Sequence, residues 1–157
     1  MNRVISPLGR KNLTLKINAF RHASYIFLLT AIKGAISRPP YAQDSLEELI
    51  IIKEGTLNCT IGDKIATLGA GSVLLILPLE MQTFENTGDG PGTYYVLMFH
   101  SKKPMNMERS KQADGTFLIN HDTLTYKEAN NRGTRKYFDR PNAMCENYEM
   151  HTTHLKI

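Results

Sequence analysis

Apolar and polar residues alternate along most of this chain with a period of two. In NLTLKIN, Leu13, Leu15 and Ile17 alternate with Thr14, Lys16 and Asn18, the pattern of a strand that buries one face. ASYIFLLTAIKG, ending at Gly34, predicts a longer and more apolar strand. Further strands are predicted in EELIIIKEG, TLNCTIGD, KIATLGAGS, SVLLILP, QTFEN and GTYYVLMFHS. Turn signals separate them: Glu-Gly at 54–55, Gly-Asp at 62–63, Gly-Ala-Gly at 69–71 and Gly-Asp-Gly-Pro-Gly at 88–92. Gly62-Asp63 reads as a two-residue hairpin turn. No segment carries a helical stripe of three turns. Short strands with turns every roughly 8–12 residues predict an all-β sandwich or barrel. The period-two spacing selects Ile50, Ile52, Leu57, Cys59, Leu74, Ile76, Tyr95 and Leu97 as interior or sheet-facing positions.

From Ser101 the pattern changes. SKKPMNMERSKQADG is polar and aperiodic and reads as loop or linker. TFLINHDTLTYKEANNRGTRKYFDRPN has one short apolar run followed by turn-rich sequence, and MCENYEMHTTHLKI returns to strand character. The expected organisation is a barrel over 12–100, a connector over 101–134 and a C-terminal extension over 135–157. That extension is expected to pack over the barrel or to pair with a second subunit.

Composition narrows the function classes. A chain of 157 residues suffices for one domain that buries about 70% of its unfolded surface. The longest mostly apolar run, YIFLLTAI, has eight residues, against roughly 20 for a membrane-spanning helix, so no membrane partner is expected. No signal peptide is evident at the N-terminus. The two cysteines, Cys59 and Cys145, lie far apart without CxxC spacing, which points to a reducing compartment, the cytoplasm. Net charge is +4, and no acidic residue precedes Asp44. The early Arg and Lys residues are scattered on strand-like sequence without the interleaved aromatic residues that stack bases, so no nucleic-acid partner is expected.

Motif spacing carries more. Glu48 and Gly55 are separated by six residues, and a second stretch, GSVLLILPLEMQTFEN, runs from Gly71 to Asn86. Between them TLNCTIGDKIATLGAG supplies a hairpin and a Gly-rich turn. Over about 20–99 this arrangement resembles the cupin superfamily, which implies a jelly-roll barrel, the double-stranded β-helix. In that family the first motif places His-x-His ahead of the Glu, and the second places a His four positions before the Asn. The resemblance therefore implies four ligand positions at Tyr41, Gln43, Glu48 and Gln82. Only Glu48 keeps the family's residue. Leu77 and Leu79 stand where the second motif has Pro and Gly, with Pro78 adjacent. A divalent transition metal in such a site takes neutral imidazoles, and one carboxylate with two amides and a phenol would hold it loosely. The expectation is a degenerate metal site with no cofactor, and a polar cluster at the barrel mouth.

The histidines do not replace the missing ligands. His22, His100 and His121 are scattered, and His151 and His154, if on a strand, face opposite sides. There is no GxSxG and no phosphate loop, so no catalytic residue is assigned. Cys59 alternates with Leu57 and Ile61 as a core thiol, while Cys145 is expected to be more exposed and has no identifiable basic partner.

The tail also has a counterpart earlier in the chain. SYIFLLTAIKG matches NYEMHTTHLKI at Tyr25 and Tyr148, Thr30 and Thr153, and Lys33 and Lys156, with Ile32 against Leu155. FDRP…AM is similar to the stretch before the second barrel in certain bacterial two-cupin proteins, so the chain resembles one cupin domain plus the threshold of another. Two functions follow. The first is a metal-free domain that binds a small polar molecule or serves as the structural half of a two-cupin protein. The second is a metal-dependent cupin enzyme (a ureidoglycine aminohydrolase, dioxygenase or isomerase), with Glu48 as ligand or general acid/base. A transcription-factor sensory domain ranks third, because no helix-turn-helix pattern is present. The acid-free strands Leu13–Ile17 and Tyr25–Ile32 offer an open edge, which predicts a homodimer.

Overall fold

The computed structural model describes residues 14–15, 23–36, 39–99, 101 and 103–155. Twelve strands are present among them: β1 Thr14–Leu15, β2 Ala23–Ala31, β3 Glu47–Glu54, β4 Thr56–Ile61, β5 Lys64–Gly69, β6 Val73–Ile76, β7 Gln82–Asn86, β8 Gly92–Phe99, β9 Phe117–Ile119, β10 Lys127–Ala129, β11 Arg132–Arg140 and β12 Tyr148–Leu155. One short helix, α1, spans Met107–Gln112, and a 3-10 turn spans His121–Thr123.

All pairings are antiparallel and form three sheets. A five-stranded sheet runs β2-β8-β3-β6-β9, and a three-stranded sheet runs β5-β4-β7. Ile36 and Tyr41 bridge to Glu85 and Gln82 along the free edge of β7. These two sheets enclose the barrel interior, filled by Ile50, Ile52, Leu57, Cys59, Ile61, Leu68, Leu74, Ile76, Phe84, Tyr94, Val96 and Met98. This is the double-stranded β-helix that the resemblance to cupins implies.

The third sheet, β1-β12-β11-β10, covers the outer face of the five-stranded sheet. Leu49, Ile51, Val73, Leu75, Leu97 and Phe99 pack there against Tyr137, Phe138, Met144, Tyr148 and Met150. The central strands β8, β3 and β6 of the five-stranded sheet are thus buried on both sides. That explains why β3 and β6 read as nearly continuous apolar runs rather than clean alternations. β9, from the segment read as connector, closes the β6 edge of that sheet.

Two details refine the sequence reading. Of the positions read as interior or sheet-facing, Tyr95 and Leu97 face the covering sheet and not the barrel interior. Cross-strand partners share a face, and β8 places Tyr94 opposite Ile52 and Val96 opposite Ile50, so Tyr94, Val96 and Met98 point inward. Leu97 and Tyr95 pack in the outer layer. YYVLMF is apolar at every position, so a period of two fits it in either phase. The polar linker also contains α1, too short to show a stripe, capped by Asn106 Oδ1 accepting from the Arg109 N–H at 2.9 Å.

The motif glycine after β3 has a steric reason. Gly55 has φ +81°, and a Cβ there would lie 2.5 Å from the Pro91 carbonyl oxygen. Asn86, the last motif residue, donates from Nδ2 to the carbonyls of Ala31 and Gly90, both at 2.8 Å, and accepts from the Gly88 N–H at 3.0 Å. It ties three chain segments together by hydrogen bonds to backbone.

Candidate functional site

Alternation along β3 turns Glu48 inward with Ile50 and Ile52, and only 1% of it is exposed. Three side chains reach its carboxylate. Tyr41 Oη donates to Oε2 at 2.9 Å, Gln43 Nε2 to Oε1 at 3.0 Å, and Gln82 Nε2 to Oε2 at 2.5 Å. Gln43 Nε2 also lies 3.9 Å from Met98 Sδ. All four residues picked from motif spacing are therefore brought together.

The backbone explains how. Tyr41 and Gln82 exchange both backbone hydrogen bonds, at 3.2 and 2.8 Å. That pairing fixes the strap 39–45 across the start of β7. The strap is held again where the Leu79 N–H donates to the Gln43 carbonyl at 2.6 Å. Leu79 has φ +68°, the left-handed region that costs a non-glycine residue about 1–2 kcal/mol. It occupies the position where the cupin motif has Gly, so the turn keeps its backbone shape although the glycine is gone.

The donor set is not the usual one for a divalent transition metal, which takes imidazoles or thiolates: two amides and a phenol donate to the one carboxylate, Glu48. Among the described residues no group of three or more His, Cys, Asp or Glu is placed to hold an ion.

The neighbouring Glu47 was not identified from sequence. It faces the outer layer, is fully buried, and accepts from the Ala143 N–H at 2.8 Å through Oε1. Its Oε2 has no hydrogen-bond partner. Burial pushes its pKa from 4.5 up to about 7, against the opposing pull of the Ala143 and Met144 amides and the Arg109 charge. Its only signal in the sequence was a second acid beside Glu48 at the head of an apolar strand. Arg109 and the loop 141–146 enclose it: Arg109 donates to the carbonyls of Asn142 at 2.8 Å and Ala143 at 3.0 Å.

The remaining candidates are structural. His121 Nδ1 lies 2.8 Å from Tyr137 Oη, and Tyr137 donates to the Gly71 carbonyl at 2.7 Å. The phenol's one hydrogen is thereby used, so His121 Nδ1 carries its own and donates. Gly71 has φ +87°, and a Cβ there would meet the His121 ring at 2.8 Å. Burial, aided by the charges of Arg135 and His154, keeps His121 below its usual pKa. His151 and His154 both lie on β12, and His22 and His100 fall outside the described residues. Cys59 is fully buried, and burial pushes its thiol up to about 12. Cys145 is half-buried, raised by burial and by the Glu47 charge, with Arg109 opposing. Arg109 is thus the basic neighbour that the sequence could not supply.

Residues 27–129 match the model of the AraC-like ligand-binding domain, and the chain belongs to that family, within the cupin superfamily.

Among solved structures, the chain is similar to a Pseudomonas aeruginosa protein named as glyoxylate-induced, with TM-score 0.58 and 14% identity over 84% of this chain and 51% of that one. It is similar to a Geobacillus kaustophilus protein, with TM-score 0.52 and 12% identity over 90% of this chain and 57% of that one. It is also similar to the Escherichia coli protein Ylba, with TM-score 0.50 and 12% identity over 98% and 90%. At these identities the likeness is one of fold. The chain spans about half the length of the Pseudomonas protein. No curated protein matches it. No helix among the described residues is long and apolar enough to cross a membrane.

Proposed function

We propose that this chain is a ligand-binding cupin domain whose barrel mouth takes a small polar molecule without a metal. The observation that carries this reading is the convergence of Tyr41, Gln43 and Gln82 on the buried Glu48. Two separate stretches of chain, the strap 39–45 and β7, bring adjustable polar side chains to one buried carboxylate, and buried polar groups that converge in this way orient ligands. The family match to a ligand-binding domain supports it. Side chains can adjust their rotamers to a ligand group, which backbone groups cannot.

A role as the structural half of a two-cupin protein is compatible with the same site. The half-length overlap with the Pseudomonas protein supports it, as does the likeness between β2 and β12 in sequence.

The test rebuilds the family's metal site. The triple variant Tyr41→His, Gln43→His and Gln82→His places three imidazoles beside Glu48. It should bind nickel, manganese or zinc at least about 100-fold more tightly than the parent, equivalent to about 2.7 kcal/mol. Calorimetry on both proteins, with elemental analysis of the purified parent, measures this. Tight stoichiometric metal in the parent would overturn the metal-free reading and favour the metal-dependent enzyme. A folded triple variant that binds nothing would show that these positions do not form one site.

A further inference from the structure

Gln82 opens β7 and is 1% exposed. Its backbone is locked to Tyr41 by two hydrogen bonds, and its Nε2 donates to Glu48 Oε2. That contact fixes the amide, because the flipped orientation would set a carbonyl against a carboxylate. The consequence falls on the other end of the same amide: Gln82 Oε1 is buried and has no hydrogen-bond partner. The Tyr41 hydroxyl hydrogen and one hydrogen of the Gln43 amide are directed at Glu48. A buried carbonyl without a donor is costly, and its native partner is then sought outside the chain.

We infer that the molecule received at the barrel mouth places an N–H or O–H donor on Gln82 Oε1, and so belongs to the neutral or cationic donor-bearing class (amide, ammonium or polyol) and not to the carboxylates or phosphates. This rests on the ligand-binding reading above and adds the polarity of the ligand. An anionic ligand would bring acceptors to a carbonyl beside a carboxylate and leave Gln82 Oε1 without a donor. A donor completes Gln82 without disturbing the three bonds that hold Glu48.

The experiment uses the full chain and three probes of similar size: acetamide, ethylammonium and acetate, each titrated into the millimolar range. The readout is the NMR signal of the Gln82 side-chain amide, with the Gln43 amide as neighbour. Saturable shifts of the Gln82 amide are expected with acetamide and ethylammonium, and none with acetate. Gln82→Met, which keeps the length and removes the carbonyl, should weaken binding of the first two about tenfold, the factor for one lost hydrogen bond. Acetate shifting Gln82 as strongly as acetamide, or Gln82→Met binding as the parent does, would overturn the donor assignment and leave ligand binding at the mouth standing. If none of the three probes moves any signal of Tyr41, Gln43 or Gln82, the ligand-binding reading itself fails and takes this inference with it. Should Gln82→Met not fold, the comparison of acetamide with acetate on the parent decides alone.

Discussion

Glu47 and Glu48 are neighbours on one strand and lie in two different environments. Glu48 points into the barrel and meets a phenol and two amides, all on side chains. Glu47 points into the layer between sheets and meets the backbone N–H of Ala143, with its second oxygen unpartnered. Both are essentially inaccessible to solvent. The difference is the kind of donor. Backbone donors sit at fixed positions in a folded loop, so the Glu47 contact holds the 141–146 loop and α1 against the barrel. Side-chain donors can turn away, so the Glu48 cluster can trade partners. Burial alone does not mark a functional carboxylate; what surrounds it does.

The largest effects should come from the cores on which the two carboxylates sit. Ile52→Ala on the inner face and Leu49→Ala on the outer face, each 1% exposed, should each cost about 2–5 kcal/mol in urea unfolding. If Leu49→Ala is nearly neutral while Ile52→Ala is not, the outer sheet adds little to stability, and the comparison between two equivalent faces breaks.

Glu47 should dominate the pH dependence. Its folded pKa is raised from 4.5 to about 7, so the folded state binds more protons than the unfolded state between those values. The stabilisation is complete below about pH 4.5, falls as pH rises through 7, and is flat above. Its full size is of order 3 kcal/mol. Glu47→Gln should flatten this window in denaturant melts taken from pH 5 to 8. An unchanged slope would place the titration on another group and remove the contrast with Glu48.

The smallest expected effect concerns the strand where two-sided burial ends. β2 is the edge of the five-stranded sheet, and Ile26, Phe27 and Leu28 are 59%, 45% and 52% exposed. Such an edge invites a second copy, and a homodimer at micromolar concentration is the expected result in sedimentation. Ile26→Lys with Leu28→Lys should shift it towards monomer without unfolding. A parent that sediments only as monomer would count against pairing at this edge. Of the other strand proposed for it, Leu13, Lys16 and Ile17 lie outside the described residues, while Thr14 and Leu15 pair with β12.

Strand identities and the Gly62-Asp63 turn were legible in the sequence because each depends on local spacing, whereas the meeting of Tyr41, Gln43, Glu48 and Gln82 was implied by the resemblance to the cupin motifs. A period of two and a tight turn fix which residues of neighbouring strands can meet. The face of β8 was not legible, because six consecutive apolar residues satisfy either phase, and only pairing with β3 chose Tyr94 and Val96 for the interior. Glu47 was not legible for a related reason. It is enclosed by Arg109 and Ala143, about 62 and 96 residues further along the chain, and no local pattern encodes contacts that distant. The sequence by itself determined the barrel strands, and its resemblance to the cupin motifs implied the polar cluster. The tertiary structure decided which face is inside, what covers the other face, and that one of two adjacent glutamates meets side-chain donors and the other a backbone amide.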